Sequence, residues 1–147
     1  MAVTPEPDRR SALATQFCLV VGAVLVIAGI IGFFYNSTFT SDESVHDDVF
    51  GLLSVNGWHN VVHLVTGAVT LWAARAVPRT WAGIFGVVYL AVAIWGFIIG
   101  DGESILSIIP VNTADNVLHL VLGITGLGVY AATAPSRGPL TTGAARA

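Results

Sequence analysis

The sequence contains no lysine, only one cysteine and very little charge of either sign. Charged residues make up 10% of the 147 residues, whereas a soluble domain carries about 25%. The single cysteine, Cys18, excludes a disulfide framework and a cysteine-rich metal site. Six arginines without lysine and a net charge of −3 exclude the basic surface that binding to nucleic acid requires. Water is therefore not the expected solvent for most of the surface.

Apolar residues take the place of the missing charge, at 54% of the composition. They form long segments, and each predicts a membrane-spanning helix because about 20 apolar residues cross ~30 Å of hydrocarbon at ~1.5 Å per residue. The first segment follows Arg9 and Arg10 but is too long for the apolar part of a signal peptide, which predicts a retained helix. The expected helices cover 13–35, 58–77, 80–100 and 116–133.

One stretch of the chain occurs twice, at an offset of 56 residues. Residues 52–71 align with residues 108–127 without a gap, and nine of the twenty positions are identical. The polar pairs are Asn56 with Asn112, Asn60 with Asn116, and His63 with His119, while His59 falls opposite Asp115. Both copies place asparagine and histidine at the opening of an apolar segment, where polar side chains are hard to accommodate.

The predicted fold is all-α: a four-helix transmembrane bundle made of two tandem helix hairpins. Two spans per half return the chain to its starting side, so the repeat is parallel. Residues 13–134 form the membrane domain, with repeat one at 13–77 and repeat two at 80–134. Residues 1–12 form a cytoplasmic tail, and residues 135–147 a disordered cytoplasmic tail.

The arginines predict the orientation of the bundle. All six lie before the first helix, at the bend between the second and third, or after the fourth. With four spans these segments share one side, whereas seven of the nine acids lie in the other two loops. Because positively charged segments stay in the cytoplasm, both termini are expected there, with the chain in the plasma membrane.

The first interpretation of the paired polar residues is structural. The outer asparagine of each copy caps its helix, the inner asparagine and the histidine hydrogen-bond neighbouring segments, and a glycine allows close packing. The protein is then a non-catalytic scaffold or accessory subunit, in contact with lipid and with other membrane-protein subunits or a second copy of itself. The residues concerned are Asn56, Asn60, His63, Gly67, Asn112, Asn116, His119 and Gly123.

The second interpretation is a metal site. His59 and His63 are four residues apart, as are Asp115 and His119, so each pair shares one face of its helix. Three imidazoles and a carboxylate suit zinc or copper. The acids of the outer loops would attract cations to such a site.

The third interpretation is haem b. His63 and His119 stand at equal depth on parallel helices and could be its axial ligands, with Gly67 and Gly123 leaving room beside the macrocycle. A small molecule or lipid between the repeats is a further alternative. No nucleophile–base pair, phosphate-binding loop or charged residue at mid-bilayer appears in the sequence. This argues against an enzyme, a proton pump and an ion channel.

The segments NVVHLVTG and DNVLHLVLG resemble a family of small bacterial membrane proteins known as domain of unknown function 4383. The resemblance extends from the first helix through the fourth and rests on the paired Asn-x2-His-Leu-x2-Gly segments. It implies a four-helix protein of the bacterial cytoplasmic membrane, with no established activity. Residue by residue it points to Asn60, His63, Gly67, Asn116, His119 and Gly123, and His59 lies outside the pattern.

Overall fold

A computed structural model describes residues 9–42 and 44–135, which form four helices and two short β-hairpins. The helices are α1 (Arg9–Tyr35), α2 (Gly57–Ala76), α3 (Pro78–Ile99) and α4 (Thr113–Ala132). Antiparallel strands β1 (Asp47–Val49) and β2 (Leu53–Val55) precede α2, and β3 (Ser104–Ile105) and β4 (Ile109–Pro110) precede α4. Residues 1–8 and 136–147, most of each predicted tail, lie outside the described residues, whereas residues 9–12 of the predicted N-terminal tail belong to α1.

The helices pack as two hairpins, α1 against α2 and α3 against α4. In each hairpin two glycines let the backbones approach closely. A Cβ built at Gly22 would stand 3.0 Å from the carbonyl oxygen of Gly67, and one built at Gly86 would stand 2.9 Å from that of Gly123. The fold is therefore the predicted one, a helical bundle made of two tandem hairpins.

Three of the described helices, α1, α3 and α4, are long and apolar enough to cross a membrane. Helix α2 has 20 residues but is not among them, because His59, Asn60 and His63 lower the hydropathy of its first half. Large apolar side chains cover the outside of the bundle, including Val20 at 63% exposed and Ile98 at 77% exposed. An apolar exterior of this kind is what a helical protein presents to lipid.

The two ends of the bundle differ in charge. At one end the start of α1 meets the end of α4, where Arg10 Nη1 donates to the carbonyl of Ala134 at 2.8 Å. The guanidinium of Arg79, from the bend between α2 and α3, lies 4.0 Å from the centre of the Tyr130 ring at this end. The opposite end carries both β-hairpins and all acidic residues of the described ranges.

Aromatic side chains fill the space between the two hairpins. Phe17 of α1 meets Phe85 of α3 edge to face at 5.7 Å, and Phe85 stacks on Tyr89 at 4.0 Å between ring centroids. Tyr89 in turn lies 5.5 Å from the ring of His119. The apolar core therefore ends at a histidine, on the side of the bundle where the β-hairpins lie.

The structure differs from the prediction in the segments around the helices. Helix α1 begins at Arg9, four residues before the predicted start, because arginine, serine and alanine tolerate a helix without being apolar. Helix α4 begins at Thr113, three residues before its predicted start, because Asn112 caps it. The β-hairpins are absent from the prediction, since strands of two or three residues are too short to show an alternating pattern.

Candidate functional site

The asparagines before α2 and α4 bind the two halves of the chain to each other. Asn56 and Asn112 cap α2 and α4, and each side-chain oxygen accepts the backbone N–H three residues further on. Their amide nitrogens donate across the molecule: Asn56 Nδ2 to the carbonyl of Ile108 and Asn112 Nδ2 to the carbonyl of Leu52, both at 2.8 Å. These two acceptors are themselves equivalent under the 56-residue offset, so the hydrogen bonds are reciprocal.

Ser54 of strand β2 connects the two positions where the repeats differ most. Its backbone N–H donates to Asp115 Oδ2 at 2.9 Å, and its carbonyl oxygen lies 2.8 Å from His59 Nδ1. Asp115 Oδ2 also accepts the N–H of Asn112 at 3.2 Å, which completes a capping box on α4. Because a carbonyl can only accept, this hydrogen bond places a proton on His59 Nδ1, and the carbonyl of Pro110 is a second backbone acceptor beside the ring.

The inner asparagines and the repeated glycines face the other helix of their own hairpin. Asn60 lies against Gly32, and its Nδ2 donates to the carbonyl of Asn36 at 2.8 Å. Asn116 lies against Gly96 in the same way, and a Cβ at either of these glycines would overlap the asparagine amide. Gly67 and Gly123, the other repeated pair, pack against α1 and α3 respectively. These glycines therefore face α1 and α3, whereas the haem interpretation placed them beside the histidines.

The three helical histidines come together between the hairpins. The potential ligand atoms of His59, His63 and His119 all lie within 4.8 Å of one another. The ring centroid of His59 is 4.5 Å from that of His63 and 6.2 Å from that of His119. His59 is 2% exposed and His119 5% exposed, and Nδ1 of His119 has no hydrogen-bond partner among the described residues. Such a cluster of neutral imidazoles offers lone pairs to a metal ion.

Asp115, the fourth ligand of the predicted metal set, is not part of this group of three. The backbone N–H groups of Ser54 and Asn112 hold its carboxylate at Oδ2. The sequence spacing correctly places Asp115 on the same helix as His119, but it cannot show that a hairpin from the other half reaches this carboxylate. The set that the structure brings together is therefore three histidines.

A cavity lies on each side of the histidine cluster, and His63 and His119 line both. The larger, of about 320 Å3, is enclosed by α1, the β1–β2 hairpin and α4. The smaller, of about 110 Å3, is enclosed by α3, the β3–β4 hairpin and α2. Gly22 of α1 and Gly86 of α3 make equivalent contacts with Gly67 and Gly123, so α1 and α3 correspond at an offset of 64 residues. Leu25 at the larger cavity therefore corresponds to Tyr89 at the smaller one. The cavities are thus counterparts in the two halves, and they differ in size.

Ser54 and Tyr89 are site residues that the sequence interpretation missed. Ser54 aligns with Pro110 in the repeat, so nothing in the alignment marks it as important. Tyr89 carried a weak signal, since a hydroxyl within an apolar helix is uncommon and needs a reason. Its place beside His119 follows only from how α3 packs against α4.

One of three comparisons with known proteins found a match. The model of one family, Domain of unknown function (DUF4383), matches residues 15–132. No curated protein and no solved structure matches the chain. The family match begins within α1 and ends on the last residue of α4, so it covers both hairpins and the whole histidine cluster. The chain therefore belongs to the DUF4383 family.

Proposed function

We propose that this chain is an integral membrane protein that binds a transition-metal ion through His59, His63 and His119. The observation that carries the proposal is the convergence of three ligand atoms, contributed by both hairpins, within 4.8 Å of one another. Polar groups at such a position are costly and mark functional sites in membrane proteins. Imidazole nitrogens favour zinc and copper among the biological metals.

The geometry requires little adjustment to hold an ion. Tetrahedral zinc bound at ~2.0–2.1 Å needs nitrogens about 3.3 Å apart, so rotations of the rings would close the site. The carbonyl of Ser54 already orients His59 through Nδ1, and metal-binding histidines usually have a partner of this kind. Three protein ligands leave a fourth coordination position open.

Haem fits the same residues less well. With His63 and His119 as axial ligands, the macrocycle would occupy the space beside both rings, and His59 lies there, 4.5 Å from His63 between ring centroids. The described arginines, which could meet the propionates, lie on α1 before the span or around the α2–α3 bend, far along the chain from the cluster. A single ion needs neither the space nor the cationic partners.

A cobalt titration tests the metal proposal. The protein in detergent is stripped of metal and titrated with Co2+, whose tetrahedral complexes show visible absorption. We expect one ion per chain, loss of the absorption in the variant His63→Ala/His119→Ala, and retention in His46→Ala, a histidine of the acidic loop outside the cluster. Folded wild-type protein that takes up no Co2+ or Zn2+, or equal loss in the His46 variant, would contradict the proposal.

We further propose four membrane spans in the cytoplasmic membrane of a bacterium, with both termini in the cytoplasm. The arginine-bearing end of the bundle supports this orientation, since positive residues stay inside. In a background with Cys18→Ser, single cysteines at Ser107 and Thr80 report the two ends. A membrane-impermeant maleimide on intact cells should label Ser107→Cys and spare Thr80→Cys. The reverse pattern would invert the protein, and labelling of both in sealed cells would exclude four spans.

A scaffold or accessory subunit is the second candidate, favoured by the reciprocal hydrogen bonds of Asn56 and Asn112. In that role the protein contacts lipid, a second copy or other subunits, and the histidines serve only to hold the helices together. Metal-free protein should then lose thermal stability in detergent when His63 and His119 both become alanine. Unchanged stability of the metal-free double variant would remove this structural role, whereas stabilisation of the wild type by Zn2+ alone would favour the metal site.

A further inference from the structure

The two counterpart cavities beside the histidine cluster are unequal for an identifiable reason. On the side of α3, Tyr89 is 6% exposed, stacks on Phe85 and reaches the ring of His119, so it fills the space there. On the side of α1, Leu25 stands in the corresponding place, and about 320 Å3 stays open. Cavities that hold small molecules begin at ~300 Å3. One half of the protein therefore keeps a ligand-sized space that the other half has closed.

Polar groups meet at one corner of this larger cavity. Its walls are mainly aliphatic side chains of α1, α4 and the β1–β2 hairpin, and its ionisable lining residues within the described part of the chain are His63, Asp115 and His119. Asp115 Oδ1 accepts none of the hydrogen bonds found among the described residues, because both backbone donors go to Oδ2. Nδ1 of His119 is buried and likewise lacks a partner. An acceptor and an imidazole thus line an otherwise apolar chamber.

The rim of the larger cavity faces the side of the bundle that meets lipid. Val24 and Ile27 of α1 are 56% and 55% exposed, and Phe50 at the hairpin turn is 73% exposed. Apolar rim residues would admit a molecule from the hydrocarbon phase more readily than one from water. The occupant is therefore expected to be soluble in lipid.

We propose that this cavity binds a neutral, lipid-soluble molecule that carries a hydroxyl group. The hydroxyl donates to Asp115 Oδ1 and accepts from the ring of His119, while the apolar body lies along α1. A carboxylate head group has no proton to donate to Asp115 Oδ1, and a pure hydrocarbon would leave both polar groups unpaired. Binding of this molecule does not require a metal ion, so it can be tested in metal-free protein independently of the proposed metal site.

Photolabelling with a matched series of ten-carbon compounds tests the site. Metal-free protein in phosphatidylcholine nanodiscs is labelled by a decanol that carries a diazirine, and the labelled residues are mapped by mass spectrometry. Decane, 1-decanol, decanoate and decylamine compete at equal membrane concentration. We expect labelling of α1 at the cavity and about tenfold stronger competition by decanol than by decane or decanoate, the ratio that ~1.4 kcal/mol of hydrogen bonding supplies.

Exchanging the corresponding residues Leu25 and Tyr89 tests whether the labelled site is the larger cavity. Leu25→Tyr copies the closed half and should abolish labelling of α1, whereas Tyr89→Leu should open the smaller cavity and add labelling of α3. Ala28→Phe, at another wall of the larger cavity, serves if Leu25→Tyr does not fold. Equal competition by decane, preference for decanoate or decylamine, or unchanged labelling in a folded cavity-filling variant would overturn the proposal. The same labelling with Zn2+ present shows whether an ion alters the site, and cobalt uptake by Leu25→Tyr shows whether the metal site survives alone.

Discussion

In the first half of the chain Asn60 lies against Gly32, and in the second half Asn116 lies against Gly96. The capping asparagines are likewise equivalent in position, and each donates to a backbone carbonyl of the other half. Two differences lie beside the histidine cluster: His59 of the first half stands opposite Asp115, and Tyr89 of the second half corresponds to Leu25 of the first. Equivalent residues thus hold each hairpin together, and the differing residues decide what the space between the hairpins contains.

The strongest test of this comparison replaces the differing residues at one pair of positions. His59→Ala removes one of three proposed ligands and should weaken Co2+ binding by more than ~100-fold, since even residues behind the ligands contribute ~10–100-fold. Asp115→Asn should change the affinity by less than about tenfold, because the carboxylate is held by backbone N–H groups. Titration of both variants by visible absorption measures the difference. An equal loss of Co2+ affinity in the two variants would show that Asp115 is also a ligand, so that each half of the chain would contribute two ligands.

A second test asks whether the two glycine contacts are as alike as they look. A Cβ at Gly86 would stand 2.6 Å from the backbone nitrogen of Leu127, whereas one at Gly22 would meet the Leu71 side chain at 2.8 Å. A side chain can rotate away, but backbone can yield only by separating the helices. We expect Gly86→Ala to destabilise the protein by about 1–3 kcal/mol, as overpacking does, and Gly22→Ala by less.

Unfolding by denaturant in mixed micelles gives the two free energies, with Gly128→Ala as the control because open space surrounds that position. A larger loss for Gly22→Ala than for Gly86→Ala would show that the first hairpin is the more tightly packed. The two hairpins would then be alike in which residues contact each other but would differ from the expected order in how well they tolerate an added methyl group.

The smallest expected difference lies between the two caps. Asn56→Ala removes a cap, for ~1 kcal/mol, together with the bond to the Ile108 carbonyl. Asn112→Ala removes the equivalent cap and the equivalent bond to the Leu52 carbonyl, and in addition a bond to Ser54 Oγ at 3.0 Å. Since polar contacts of this kind contribute ~0.6 kcal/mol on average, the second variant should be less stable by about that amount. The same unfolding measurement decides it, and equal losses would mean that the bond to Ser54 Oγ adds nothing to stability.

The helices, the caps and the paired hairpins could be predicted from the sequence because each depends on local pattern. Apolar length gives a helix, and asparagine at the opening of an apolar segment gives a cap. The direction in which Asn60 and Gly67 point could not be assigned this way, because helical spacing relates residues to each other and not to a neighbouring helix. The haem interpretation placed Gly67 beside His63, whereas Gly67 packs against α1.

The histidine cluster shows the same limit. His59 and His63 could be paired by their spacing, and His119 by the repeat, but the position of Asp115 depends on Ser54 in the other half. No local pattern encodes a bond between a strand of one repeat and a helix of the other. The unequal cavities were also beyond prediction, because they depend on which side chain of α1 corresponds to Tyr89 of α3.

The reciprocal bonds of Asn56 and Asn112 have a consequence for how the protein is made. When synthesis has delivered only the first half, the amide of Asn56 has not yet met the carbonyl of Ile108, which is still to be translated. The first helix hairpin is therefore complete before the carbonyl that its Asn56 amide binds, and the second half of the chain must supply that acceptor. Two separately encoded halves, 1–77 and 78–147, should consequently find each other in the same cell and co-purify, and failure to do so would show that each hairpin matures alone.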